Sequence, residues 1–297
     1  VYALPLDPSV QIFLYRTDLF HDAKLCRAYY ERFHENLVVP TTYEQYLHAA
    51  EFFTRSCNPD SPTEYGTTMT CGSASVAASD FLPFYLSRID RFGSTPETLR
   101  LDSPEMQAAM RQYRALEKFS CKQNWWGDSI QKFAEGKTAM TVIYSNYAAE
   151  LINSGNSVVV GRVGAAILPG CKPLLGGGIV GISRYSQKAE ACKQFFRWYY
   201  SADVASLLVR LGGTSPIVDA YEDFQNYSIF PWMNTSKKSF GLGQRGVKNQ
   251  TPERFSIPKY EFAVGTAVRN VVQDLMTPED ASRMAQALYD AADPVCR

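Results

Sequence analysis

Metal-ligand clusters and catalytic signatures are missing from this chain. Only three histidines occur, His21, His34 and His48, and none of the seven cysteines forms a Cys-x-x-Cys pair. A zinc or iron–sulfur centre is therefore not expected, and no cofactor is implied. His-Glu-x-x-His, Gly-x-Ser-x-Gly and Gly-Lys-Ser/Thr are all absent, which removes the metalloprotease helix, the hydrolase elbow and the phosphate loop as starting points. A basic excess is lacking too. Lys+Arg and Asp+Glu number 30 each, and the longest basic run is Lys237-Lys238, so recognition dominated by nucleic-acid phosphates is not expected. No stretch approaches the ~20 apolar residues of a membrane helix, and Val1–Pro5 has neither the charged nor the long apolar region of a secretory signal. What is plentiful is aromatic surface: 18 Tyr, 17 Phe and 4 Trp in 297 residues. Most of these rings suit a core, and a few, in a chain without net charge, suit a neutral ring-shaped ligand.

Strand-like and helix-like segments alternate, which predicts an α/β fold. Residues 9–15 read as a buried strand, and Asp22 as the start of a helix through Phe33. Thr41-Thr42-Tyr43-Glu44 reads as a Thr-x-x-Glu capping box before a helix carrying Leu47, Ala50 and Phe53. A short strand is expected at 66–70 and a helix at 81–92 stopped by Gly93. Ser103-Pro104-Glu105 opens the next helix, followed by a helix at 128–135, strands at 138–143, 158–167 and 179–182, and a long helix capped by Ser186. Helices at 260–276 and 278–292 close the chain. The stretch 226–258 reads as a long, weakly structured connection.

Gly176-Gly177-Gly178-Ile179-Val180-Gly181 fits Gly-x-Gly-x-x-Gly formally, but a strand rather than a helix follows it, so a dinucleotide site is not expected. A turn offering backbone amides to a neutral ligand fits better. Trp125-Trp126 lies in a polar connection beside Asn124, Gly127 and Asp128, where flat indole faces could cover a sugar's C–H surface; the alternative is one ring in the core and the other as a lid. Tyr144, Asn146 and Tyr147 follow directly on a buried strand. Cys57 and Cys71 bracket a turn-rich segment that a disulfide could close. Three glycosylation sequons begin at Asn226, Asn234 and Asn249 and carry little weight alone.

The order of short motifs resembles the family 1 extracellular solute-binding proteins, the maltose-binding-protein-like receptors of ABC importers. The resemblance rests on Tyr2-Ala3-Leu4-Pro5 with Phe13–Phe20, on Pro40–Tyr46, on Phe133-Ala134-Glu135-Gly136-Lys137-Thr138-Ala139-Met140 and on Leu168-Pro169-Gly170. Gly177-Gly178, Gly181-Ile182-Ser183, Gly212–Pro216, Ile257–Tyr260 and Pro278–Ala281 continue it in the same order. It implies a type II periplasmic-binding-protein fold: two lobes, a hinge and a ligand in the cleft. Residues 1–163 would form most of the second lobe, 164–216 a first-lobe segment, and 217–297 the closing part of the second lobe. The family's opening βαβ portion has no counterpart ahead of Tyr2. That leaves a fragment, a separate segment completing the first lobe, or a remodelled variant. By the same resemblance Trp126 is a cleft aromatic, and Tyr144, Asn146 and Tyr147 fall in a cleft segment that here lacks the family's tryptophan. Gly176, Gly177 and Gly178 would offer first-lobe amides, Tyr260 to Phe262 would face the ligand, and Asp80 and Phe81 are further candidates. The function implied is capture of a small solute, a sugar or oligosaccharide, outside the cell and its delivery to ABC permease subunits. The alternatives are a sensory module of the same fold and a glycan-active enzyme using Asp128.

Overall fold

The computed structural model describes residues 3–89, 99–153, 155, 157–223, 226, 229–245 and 256–291. Gly93, Cys296 and the sequon residues Tyr227, Ser228, Asn249, Gln250 and Thr251 lie outside them. β1 (Leu4–Pro5) leads through residues 6–8 into β2 (Ser9–Arg16), the central strand. β2 pairs antiparallel with β5 (Met140–Tyr144) on one side; on the other it meets β6 (Val163–Ala166) and β7 (Leu175–Gly176). The period-2 alternation of a strand divides its side chains between two cores. Val10, Ile12 and Leu14 enter one with Ile130, Phe133, Val209 and Trp232, while Phe13 enters the other with Tyr46, Met69, Phe81 and Tyr113. Helices cover both faces, as the sequence pattern predicts for an α/β protein.

The larger core takes its helices from α2 (Ala23–Phe33), α3 (Tyr43–Phe52), α4 (Ala74–Leu86) and α5 (Pro104–Glu117), and from α11 (Ile257–Val272) and α12 (Pro278–Asp290). The smaller is built by α6 (Trp126–Ala134), α9 (Ala202–Arg210) and α10 (Met233–Leu242). Beside β5 runs β3 (Thr67–Thr70), paired parallel with β4 (Ser120–Gln123) and joined to β5 by a 2.7 Å contact between the Thr68 and Thr141 hydroxyls. The remaining elements are α1 (Thr17–Phe20), α7 (Glu150–Asn153), β8 (Ile179–Val180), which pairs with β1, and α8 (Ala189–Tyr199).

Several boundaries differ from the sequence reading for identifiable reasons. The capping box sits one residue later: the Thr42 hydroxyl accepts the Gln45 N–H at 3.2 Å, and the Gln45 side chain accepts the Thr42 N–H at 3.3 Å. α4 begins at Ala74 because the Ser73 hydroxyl accepts the Val76 N–H, and it continues through Pro83 to Leu86. α10 occupies part of the stretch expected to be irregular, and β6 is four residues long instead of ten. Cys57 and Cys71 are free thiols, not a disulfide. Cys57 donates its N–H to Thr54 O, and the Thr54 hydroxyl accepts the N–H of Gly66 at the start of β3. The four-residue strand, at about 3.3 Å per residue, then carries Cys71 away to its other end.

Two tight points hold the larger core. Gly265 on α11 crosses α4 so closely that a Cβ there would stand 1.7 Å from Ala74 O. A Gly265→Ala variant must push the two helices apart, with an expected cost of about 1–3 kcal/mol; urea unfolding measures it, and an unchanged midpoint would show that the crossing is not tight.

Asp80 on α4 is the second. It is 8% exposed and accepts hydrogen bonds from Tyr113 Oη at 2.7 Å and from the Thr70 N–H at 3.2 Å. Burial pushes its carboxyl up to about 7, against the lowering effect of those two donors. Between the ordinary Asp value and about 7 the folded state therefore holds a proton that the unfolded chain releases. This contribution to stability is complete below the unfolded pKa and is lost as the pH rises through the folded one. Asp80→Asn is expected to flatten the fall in melting temperature between pH 5 and pH 8. An equal fall in both proteins would assign the dependence to other groups.

Candidate functional site

Strand β5 ends at Tyr144, opposite Gln11 of β2. A 3₁₀ turn over Ser145–Tyr147 follows, anchored where the Ser145 hydroxyl accepts the Val10 N–H at 3.3 Å. α6 begins beside it. Its buried residues Trp126, Ser129, Ile130, Phe133 and Ala134 follow helical spacing, and Asp128 in the first turn complements the helix dipole. These two connections bring four aromatic rings together. Trp126 meets Tyr144 edge-on with centroids 4.9 Å apart, Trp125 lies 4.7 Å from Trp126, and Trp125 Nε1 donates to Tyr147 Oη at 2.8 Å. The two tryptophans divide the work. Trp126 is 6% exposed and Trp125 is 47% exposed, so the ring that can meet a ligand is Trp125. Trp126 is the wall behind it, and its Nε1 has no hydrogen-bond acceptor among the described residues.

The glycine turn arrives on the same side. Gly176 pairs with Ser9 in the β7–β2 ladder and lies against the Tyr144 ring, where a Cβ would stand 2.6 Å from the ring carbons. Gly177 has φ of 101° and lies against the backbone of Asp7 and Pro8, a conformation and a proximity that only glycine tolerates. The Gly178 N–H donates to the Asp7 carboxylate. The turn therefore uses this amide to hold Asp7; burial raises the Tyr147 hydroxyl, the Trp125 N–H opposes that shift, and the Asp7 charge adds to it. The turn does not present that amide outward, as the sequence suggested.

Tyr260 and Asp80 are placed elsewhere. Tyr260 is 2% exposed in the larger core, its ring 6.3 Å from Tyr289, and Asp80 is the interior carboxylate described above. The next residue on the helix, Glu261, meets Arg245. Arg245 pairs with Glu261 Oε1 at 2.9 Å and donates to Leu175 O at 3.0 Å, which ties α11 to the strand that carries Gly176. Burial raises the Glu261 carboxyl and Arg245 opposes that shift. Burial likewise pushes the Tyr144 hydroxyl up to about 12, while Arg245 and Ser79 pull it down. Asn146 is half-buried in the turn, and its Oδ1 has no donor among the described residues. The sequence reading thus brings together Trp125, Trp126, Tyr144, Asn146, Tyr147, Gly176, Gly177 and Gly178. It missed Asp7 and Arg245, while Glu261 lies inside the expected span Tyr260 to Phe262. Asp7-Pro8 carries a turn signal that could have drawn attention to it; Arg245 fell in the stretch assigned to a loop.

Among the described residues, no cluster of three His, Cys, Asp or Glu side chains could hold a metal, and no helix is long and apolar enough to cross a membrane. The site therefore offers aromatic faces, amides and carboxylates that can bind a solute.

A family model described as bacterial extracellular solute-binding protein matches residues 1–232. An ABC transporter solute-binding protein of Agrobacterium radiobacter K84, solved with ribitol, superposes with a TM-score of 0.78 at 23% identity; the match covers 96% of this chain and 70% of that one. A counterpart from Agrobacterium vitis S4 with bound D-mannitol gives 0.75 at 19% identity over 98% and 72% of the two chains. Maltose-bound MalE3 of T. maritima gives 0.75 at 20% identity over 97% and 72%. These likenesses show the two-lobe periplasmic-binding fold, and the family and these neighbours are binding proteins of transporters. By the match over residues 1–232, the chain belongs to the bacterial extracellular solute-binding protein family.

Proposed function

We propose that this chain captures a neutral, polyhydroxylated solute, a sugar, alditol or short oligosaccharide, and presents it to the permease of an ABC importer. The observation that carries this reading is the meeting of Trp125 and Tyr147 with the glycine turn and Asp7 at one place. Aromatic faces take the C–H surface of a sugar while the Asp7 carboxylate and the Tyr147 hydroxyl pair with its hydroxyls. Arg245 nearby is neutralised by Glu261, which favours a neutral ligand over an anionic one. The named ligands of the superposed proteins, ribitol, D-mannitol and maltose, are of the same class. No reacting pair is assigned, and the chain is read as a receptor and not an enzyme.

The same reading assigns residues 1–163 and 217–297 to one lobe and 164–216 to the other, with ligand binding favouring the closed arrangement. β6, β7 and α9 pack with the first of these, so the reading rests on α8, which buries none of its residues and leaves Phe195 and Trp198 43% and 57% exposed. A separate segment that completes the first lobe would cover that face. Fluorescence of an apolar dye bound to this chain would then fall when such a segment is supplied, and no change would count against it.

A thermal-shift screen with ribitol, mannitol, maltose and maltotriose tests the ligand class, because a ligand of the folded state raises the melting temperature by mass action. Trp125→Ala is expected to weaken the best ligand by about 1–3 kcal/mol with little change in melting temperature. Trp126→Ala is expected to destabilise the fold by about 3–5 kcal/mol as a core truncation. Calorimetry and melting curves separate the two. Full affinity in Trp125→Ala would remove that ring from the site.

A further inference from the structure

Both tyrosines of α3 line one small cavity in the larger core, and their hydroxyls differ. Tyr46 Oη lies 2.6 Å from Thr67 Oγ1, whereas Tyr43 Oη is buried with no hydrogen-bond partner among the described residues. The Tyr43 ring cannot swing out to find one in solvent. It is 7% exposed, stacks on Phe84 with centroids 3.9 Å apart, and has Gly170 against its edge, where a Cβ would stand 3.2 Å from Cε2. Burying a hydroxyl in that state is costly, so this position calls for a group that can bond it.

The cavity supplies the room. It lies among α3, α4, α5, β3 and β5, and its volume of about 10 Å³ is that of a single water. Besides the two tyrosines, Thr68 and Asp80 contribute its polar wall, and Phe84 and Val142 part of its apolar wall. Asp80 has capacity left. Tyr113 Oη and the Thr70 N–H both donate to Oδ2, and among the described residues no donor reaches Oδ1. The Thr68 hydroxyl, 2.7 Å from that of Thr141, keeps a lone pair free.

We propose that this cavity is a hydration site, in which one water accepts the hydrogen bond of the Tyr43 hydroxyl and donates to Asp80 Oδ1, with Thr68 as its second acceptor. The water joins α3 to α4 and β3, and it belongs to the scaffold whatever solute is bound. Its place in the fold matters because the residue before Asp80, Ser79, offers the carbonyl that anchors Gln11 of the central strand. The same water eases ionisation of Asp80: burial disfavours the charge, and a third donor to the carboxylate offsets part of that effect.

Crystal structures of the whole chain and of two variants, with carbon-13 NMR titration of the Asp80 carboxyl, test the site; melting curves confirm that each variant is folded. In the wild type, density for one water is expected within hydrogen-bond distance of Tyr43 Oη and Asp80 Oδ1. Tyr43→Phe should lose it, and the Asp80 midpoint should move upward, because a carboxylate with one donor fewer is harder to ionise. Tyr46→Phe, which removes a hydroxyl engaged with Thr67, should keep the water. An empty wild-type cavity overturns the proposal, as does a water that remains in Tyr43→Phe with the Asp80 midpoint unchanged. Density that becomes anomalous after a rubidium soak marks a cation instead of a water and overturns it too.

Discussion

A strand buried on both faces must match every polar group it carries, and β2 is such a strand. Gln11, wholly buried in it, donates its side-chain amide to Ser79 O at 2.7 Å and accepts the Leu174 N–H at 2.9 Å. One side chain thereby joins the strand to α4 on one side and to the residues entering β7 on the other. If these bonds were lost, a buried amide and a buried backbone N–H would both lack partners, at a cost of about 1–3 kcal/mol for each group. The site depends on this joint. β5 and β7 flank β2 on opposite edges, and they carry Tyr144 and Gly176, which touch across it.

Around that joint each charged group has a fixed partner. Asp7 is held by an amide, Glu261 by Arg245, and Arg245 also by a carbonyl of the strand leading to the glycine turn. Such an arrangement orients the surrounding groups and leaves Asp7 as an acceptor for hydroxyl donors. The pairing also links distant parts of the chain. Arg245 comes from the segment after α10, Glu261 from α11, and Arg245 joins the latter to a strand far earlier in sequence. A shift in any of these elements is felt by the others.

Local chemistry was legible in the sequence wherever one residue type determines it. Caps at Asp22 and Ser103 were read correctly, because a side-chain oxygen before an apolar stripe has one common use, whereas the helix expected to be capped by Ser186 starts after Lys188 without a side-chain cap. The buried strand β2 was evident from its apolar run, and the glycine turn from the strand that follows it. Pairing over long distances was not legible. β4, with the sequence Ser-Cys-Lys-Gln, lacks β-branched residues and exists through its parallel pairing with β3. At the site, the aromatic residues announced themselves by composition and position, but their division into wall and exposed face was settled by packing. Tyr260 and Glu261 show the same limit. Neighbours on one helix point in directions about 100° apart, and only the tertiary contacts of α11 decide which of them meets the core and which meets Arg245.

The central claim is that the solute contacts the chain at Trp125, in front of a buried Trp126. The chain has only four tryptophans, at positions 125, 126, 198 and 232, so fluorine NMR of fluorotryptophan-labelled protein, assigned by single Trp→Phe replacements, can follow each one during titration with a sugar that binds. The account predicts that the Trp125 resonance moves most and saturates with the ligand, with a smaller movement at Trp126 and none at Trp232. A saturating sugar that leaves Trp125 unmoved, or moves Trp198 alone, would contradict it.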